Sequence, residues 1–260
     1  MRPTASRPAR HLLLGRDHER YGDVTVIPVS PATACAISAG VDPEFARTTQ
    51  KEHVNEDALL VREDERHTVM CVADAHFGRQ ASERLIARVD ALLDPVPENP
   101  ERLAALLSAL AEERTDDDYG SETTLVVCIL DRLFRQAFGL SYGDSSVVRA
   151  PAGEVPRREN RPSAGFVTLA RPRSLAPEDA EPFAFSPAAG DLLLVFTDGI
   201  DECCYRDPDR SVTPEAMGAL LQRTGHDPEL VARELGELAL RGVDGHPGGQ
   251  DNLALAVTRV

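Results

Sequence analysis

The sequence is short of positive charge. Against 43 acidic side chains it carries 28 lysines and arginines, a formal net charge of −15. Such a chain repels a phosphate backbone or an anionic membrane, which sets nucleic acid and lipid surfaces aside as partners. Cysteine is scarce and unpatterned. Of the five, Cys35, Cys71 and Cys128 sit inside apolar runs where a thiol acts as a small hydrophobe. Cys203 and Cys204 are adjacent, a spacing that suits neither a disulfide nor zinc, so a reduced, cytoplasmic setting is expected. Long hydrophobic runs are missing as well: Leu12-Leu13-Leu14 is far too short for a signal-peptide core or a membrane span, and neither export nor anchoring is expected. There is no glycine-rich phosphate loop, internal repeat or low-complexity tract.

What is present suffices for one large domain: 260 residues, 42% of them hydrophobic. Residues 1–30 are polar and irregular and read as a loosely ordered N-terminal extension, with the domain at 31–260. Short strand-like stretches follow at 34–38, 58–61, 68–73, 123–130, 136–141 and 146–149. Ala81, Leu85, Val89 and Leu92 recur at helical spacing, as do Leu103, Leu106, Leu107 and Leu110. Residues 151–187, rich in proline, arginine and glutamate, read as a flap-like surface excursion. A strand at 191–197, helices at 213–223 and 227–241, and a strand at 252–258 complete a mixed α+β domain with much antiparallel sheet.

Aspartates fall where strands end. Val69-Met70-Cys71-Val72-Ala73 runs into Asp74, and Leu192 to Thr197 runs into Asp198-Gly199. Asp251-Asn252 precedes the last apolar strand, and Asn55-Glu56-Asp57 precedes Ala58-Leu59-Leu60-Val61. Singly these are ordinary turn residues. Converging, they make an oxygen-rich pocket suited to hard cations such as Mg²⁺ or Mn²⁺, and two such ions are well suited to phosphate hydrolysis.

Six motifs occur in order: Asn55-Glu56-Asp57-Ala58, Val72-Ala73-Asp74-Ala75-His76-Phe77-Gly78, Gly120-Ser121-Glu122-Thr123-Thr124, Tyr142-Gly143-Asp144-Ser145, Phe196-Thr197-Asp198-Gly199-Ile200 and Gly249-Gln250-Asp251-Asn252. In these, from about residue 33 onward, the chain resembles the metal-dependent protein phosphatase family, type 2C. The resemblance implies a four-layer α-β-β-α sandwich of two packed antiparallel sheets flanked by helices. It implies hydrolysis of phosphoserine or phosphothreonine on proteins by water activated between two Mg²⁺ or Mn²⁺ ions. Asp74 would bridge the ions and the carbonyl of Ala75 complete one of them, while Asp198 and Asp251 hold the other. Glu56 and Asp57 would act partly through metal-bound waters. Asp118 or its neighbour Asp117 would serve a weaker third ion, although with Asp116 alongside a plain acidic loop reads equally well. His76 would protonate the leaving oxygen. A phosphorylated protein substrate, an opposing serine/threonine kinase and a monomer are expected.

Three departures stand out. Glu52 occupies the place of the family's phosphate-clamping arginine, leaving Lys51 or Arg47 as substitutes. Ala75 and Phe77 replace glycines, which implies a distorted metal loop. The flap region lacks the family's usual signature, and its Arg157, Arg158, Arg161, Arg171 and Arg173 are candidates to attract an acidic phosphopeptide. These departures keep two alternatives open: a regulatory binding protein that has lost turnover, and a phosphatase of a small phosphorylated metabolite. Gly143-Asp144-Ser145 reads as a structural turn.

Overall fold

Two antiparallel sheets of six strands each pack face to face in the computed structural model, which describes residues 9–41, 43–46, 50–112, 120–163, 165–168 and 179–260. The first sheet runs in the order β1 (Ala9–Leu14), β4 (Ala58–Glu63), β5 (His67–Ala73), β8 (Leu125–Asp131), β9 (Gln136–Tyr142) and β12 (Glu181–Phe185). The second runs β11 (Arg157–Arg158), β10 (Ser146–Ala150), β13 (Leu192–Phe196), β14 (Leu253–Arg259), β3 (Thr33–Ser38) and β2 (Thr25–Ser30). A two-stranded ribbon joins β6 (Ala75–His76) to β7 (Glu122–Thr123).

The layers follow from which strand faces are apolar. Ile37, Leu59, Val61, Met70, Val72, Val126, Val195 and Ala254 fill the space between the sheets. Beyond the short helix α1 (Pro43–Ala46), on the outside of the first sheet, α2 (Gln80–Leu92) and α3 (Pro100–Glu112) bring Leu85, Val89, Leu103 and Leu107 against Leu60, Cys71 and Val127. On the outside of the second, α4 (Pro214–Arg223) and α5 (Pro228–Arg241) bring Leu220, Val231 and Leu235 against Leu194 and Leu255. Central strands are therefore covered on both faces, and β5, β8, β13 and β14 read as near-continuous apolar runs. The four-layer α-β-β-α sandwich is the observed architecture. Helix starts obey local chemistry: Thr213 and Asp227 accept hydrogen bonds from the Ala216 and Leu230 amides, with proline following each cap.

The N-terminal expectation needs correction. Residues 9–30 are not a loose extension: β1 pairs with β4 from Ala9↔Glu63 to Leu14↔Ala58, and β2 pairs with β3. Both lie at sheet edges, where Arg10, His11 and Pro28 are tolerated because one side of the strand needs no partner. Residues 1–8 lie outside the described residues. The excursion at 151–187 is likewise tied down near its ends, where β11 pairs with β10 and β12 with β9; residues 164 and 169–178, including Arg171 and Arg173, lie outside the described residues.

Candidate metal centre

Antiparallel pairing brings the ends of β5 and β13 and the starts of β4 and β14 to one end of the sandwich, as Ala58↔Ala73 and Phe196↔Leu255 record. Asp57, Asp74, Asp198 and Asp251 converge there, all buried. Asp57 and Asp74 are set by threonines that the sequence reading did not single out. Thr197 Oγ1 donates to Asp57 Oδ2 at 2.7 Å and accepts from the Ala254 amide at 2.9 Å, so one hydroxyl spans the two sheets. Thr124 Oγ1 accepts from the Asp74 amide at 3.0 Å, while the Asp74 carbonyl accepts from the Thr124 amide at 2.8 Å. The turn at Gly143 braces this threonine, with Thr124 Oγ1 and Ser145 Oγ 2.7 Å apart. Gly143 has φ +86, and a Cβ there would meet Thr124 Cγ2 at 2.7 Å, so the brace demands glycine on two counts. Asn252 ties the loop before β4 to the start of β14: its Oδ1 accepts from the Glu56 amide at 2.9 Å and its Nδ2 donates to the Val54 carbonyl at 2.9 Å. These residues lie within or beside motifs legible in the sequence; their bracing role is a matter of contacts between segments far apart in it.

At the centre of the carboxylates lies Lys51. Its ammonium donates to Asp74 Oδ1 and, at 2.9 Å, to the Ala75 carbonyl. It also stands 3.4 Å from Asp251 Oδ1 and 3.9 Å from Asp57 Oδ1, with a side chain only 1% exposed. Burial alone would lower the Lys51 pKa, but the charges of Asp251, Asp74, Asp57 and Asp198 outweigh it and hold the group well above the usual lysine range. Burial also raises all four carboxyls. For Asp74 the ammonium more than offsets this and holds the group below the usual range. Asp57 and Asp198 are pushed well up by burial and then by the Asp74 charge, and burial carries Asp251 up to about 6.

One cation does not satisfy this cluster. Asp57 Oδ1, Asp74 Oδ2, Asp198 Oδ1 and Asp251 Oδ2 are buried oxygens with no hydrogen-bond partner. Unpaired buried carboxylate oxygens are costly, and a hard divalent ion is the group that such oxygens accept. The donor set thus fits Mg²⁺ or Mn²⁺. Among the described residues no three His, Cys, Asp or Glu side chains are already drawn together at ligating distances. They are gathered around an ammonium instead.

The remaining sequence expectations divide. Glu56 does not join the cluster: its Oε1 accepts from the Glu52 and His53 amides at 2.9 and 2.8 Å, and its Oε2 from the Gly78 amide at 3.1 Å. That carboxylate shapes the loop rather than presenting itself to a metal. Lys51 is not a clamp facing an incoming phosphate, since it points into the carboxylates. Arg47 and Asp118, with its neighbours Asp116 and Asp117, lie outside the described residues. His76 is half-buried beside the cluster on β6, its ring edge-on to Phe166 with centroids 5.5 Å apart. Phe77, in place of a glycine, takes φ 57, so the loop keeps a left-handed turn at the expense of strain in a bulky residue. Arg158 donates to the Asp144 and Ser145 carbonyls at 2.6 and 3.0 Å, which makes it a fastener of the neighbouring turn.

No family model matches the sequence, and no curated protein matches it. Solved structures do. A bacterial serine phosphatase variant is 15% identical with a TM-score of 0.65, over 90% of this chain and 100% of that one. The catalytic domain of the serine/threonine phosphatase PstP, in complex with 2 manganese ions, is 21% identical with a TM-score of 0.60, over 91% and 99%. RsbX, in complex with magnesium, is 14% identical with a TM-score of 0.56, over 91% and 99%. At these identities the likeness establishes the fold: the chain has the architecture of the type 2C serine/threonine phosphatases.

Proposed function

We propose that this chain is a metal-dependent phosphatase that hydrolyses phosphoserine and phosphothreonine on proteins. The observation that carries the reading is the set of four buried aspartates, each with one unpartnered oxygen, at the strand ends of a type 2C fold. Asp74, Asp198 and Asp251 would hold Mg²⁺ or Mn²⁺, with the Ala75 carbonyl and Asp57 at their side. When bound, the metal supplies a water-derived nucleophile at neutral pH and offsets charge on the phosphoryl oxygens. Thr197 keeps the Asp57 carboxylate from turning away, Thr124 fixes the backbone that carries Asp74, and buried strand ends exclude bulk water around them. His76, oriented by Phe166 beside the cluster, holds the proton for the leaving seryl or threonyl oxygen. A cytoplasmic monomer opposing a serine/threonine kinase belongs to this proposal. The reduced setting in this proposal is supported by the five free cysteines.

The test is Mn²⁺-dependent hydrolysis of p-nitrophenyl phosphate and of a phosphothreonine peptide by wild type and Asp198→Asn side by side. Wild type should turn over both and the variant neither. A folded wild type inactive at every metal concentration would instead favour a regulatory binding protein, a reading supported by Lys51 inside the cluster and Glu52 in place of the arginine. Activity on small phosphorylated metabolites without activity on peptides would move the substrate class.

A further inference from the structure

We propose that this centre takes a single tightly held divalent ion, because the ammonium of Lys51 permanently fills the second cation position. The inference rests on the metal-centre reading above, and it follows from how the donors divide. One group surrounds Lys51 Nζ: Asp74 Oδ1, the Ala75 carbonyl at 2.9 Å, Asp251 Oδ1 at 3.4 Å and, beyond hydrogen-bond distance, Asp57 Oδ1 at 3.9 Å. The other group has no donor to satisfy it: Asp74 Oδ2, Asp198 Oδ1 and Asp251 Oδ2. Asp74 gives one oxygen to each group, the arrangement of a carboxylate shared between two cations.

The identity of the side chain supports the same division. Lys51 is the single lysine in the sequence, and every other cationic side chain counted with it is arginine. A guanidinium is a broad planar fork, whereas an ammonium is a compact point charge with three donors, and only the latter fits among oxygens that would otherwise surround a small ion. The side chain is 1% exposed and hydrogen-bonded at its tip, so it does not belong to the mobile surface lysines that a metal would displace without consequence.

Manganese titration of the wild type, followed by electron paramagnetic resonance and by metal analysis after desalting, tests this directly. One Mn²⁺ per chain with the spectrum of an isolated ion is expected. Lys51→Met keeps the length of the side chain and removes its charge, and should bind two ions whose spectrum shows spin coupling. A coupled pair in the wild type overturns the inference while leaving the phosphatase reading intact. No manganese in the wild type overturns both. A single ion in Lys51→Met overturns the role given to Lys51. If that variant fails to fold, ¹⁵N-lysine labelling of the wild type replaces it, since one lysine gives one side-chain resonance. That resonance should stay protected from solvent exchange in saturating Mg²⁺, and its collapse to the behaviour of an exposed lysine would show that an ion has displaced the ammonium.

Discussion

The two ends of the sandwich bury polar groups in opposite ways. Where β5 begins and β14 finishes, Arg132 donates to Thr68 Oγ1 at 2.9 Å, Thr258 Oγ1 at 3.1 Å, Thr33 Oγ1 at 3.2 Å and the Arg259 carbonyl at 3.2 Å. Beside it Asp131 accepts from Arg66 Nε and the Leu133 amide at 2.9 Å each, and from the Phe134 amide at 3.0 Å. At the other end of the same strands, four aspartates surround one lysine and four oxygens have no hydrogen-bond partner. Folding alone explains the first end, because each polar group there is exchanged from water to a protein partner. It does not explain the second. A cluster that leaves buried carboxyl oxygens unsatisfied destabilises the fold, and such local inconsistency is where a ligand is awaited.

The contrast breaks most visibly at Asp198, which lies outside the hydrogen bonds of Lys51. Asp198→Asn should lower phosphatase turnover by about 10²–10³-fold or more, while the metal-free melting temperature holds or rises because a neutral amide replaces a carboxyl whose charged form burial and Asp74 already disfavour. A loss of metal-free stability with activity retained would place Asp198 in the structural class. Next in size is the metal itself: at 100 times Kd it should stabilise the wild type by about 2.7 kcal/mol if only the folded state binds. Differential scanning calorimetry with and without Mn²⁺ measures this, and Asp198→Asn should lose most of the increment. Arg132→Ala tests the other end. It should cost about 1–3 kcal/mol of stability, since it takes its partner from the buried Thr68 hydroxyl, yet leave KM and Mn²⁺ affinity unchanged. A shift in metal affinity there would show that the ends are coupled.

The same distinction governs what the sequence reveals. Strands at the middle of each sheet are covered on both sides, so β4, β5, β8, β9, β13 and β14 appear as apolar runs close to their observed limits. Within the two six-stranded sheets, the four strands that escape notice, β1, β2, β11 and β12, are the four edges. Edges admit charge and proline, as Arg10, Pro28, Arg157 and Pro182 do, and this erases the periodic signal. At the site, Asp74, Asp198 and Asp251 are legible because each adjoins a buried strand. The place of Lys51 is not, because it depends on β4, β5 and β14 meeting in space. The partners of Glu56 are hidden for a related reason: sequence places a carboxylate beside the site but cannot tell that it faces the Glu52, His53 and Gly78 amides.

The smallest expected effect is a difference in slope. In the metal-free protein, burial raises Asp251 from 3.8 to about 6, even against Lys51. A carboxyl whose folded pKa lies above its unfolded value contributes stability that is fully present below about 4 and lost as pH rises through about 6. At the far end burial again pushes Asp131 up, but the Arg66 hydrogen bond and charge and the Leu133 and Phe134 amides outweigh it and hold the group below 3.8. Its contribution is present above that value and is lost as pH falls through the folded pKa. The two ends therefore pull the stability curve in opposite directions. Urea unfolding of metal-free protein from neutral pH into the acid range should show stability declining from about pH 4 to 6, with Asp251→Asn flattening that decline. Arg66→Ala should lower stability evenly across this limb without changing its slope, and flatten the further loss in acid that Asp131 causes in the wild type. If Asp251→Asn instead alters only the acid limb, the cluster titrates as an ordinary surface group and the assignment of its cost to burial is wrong.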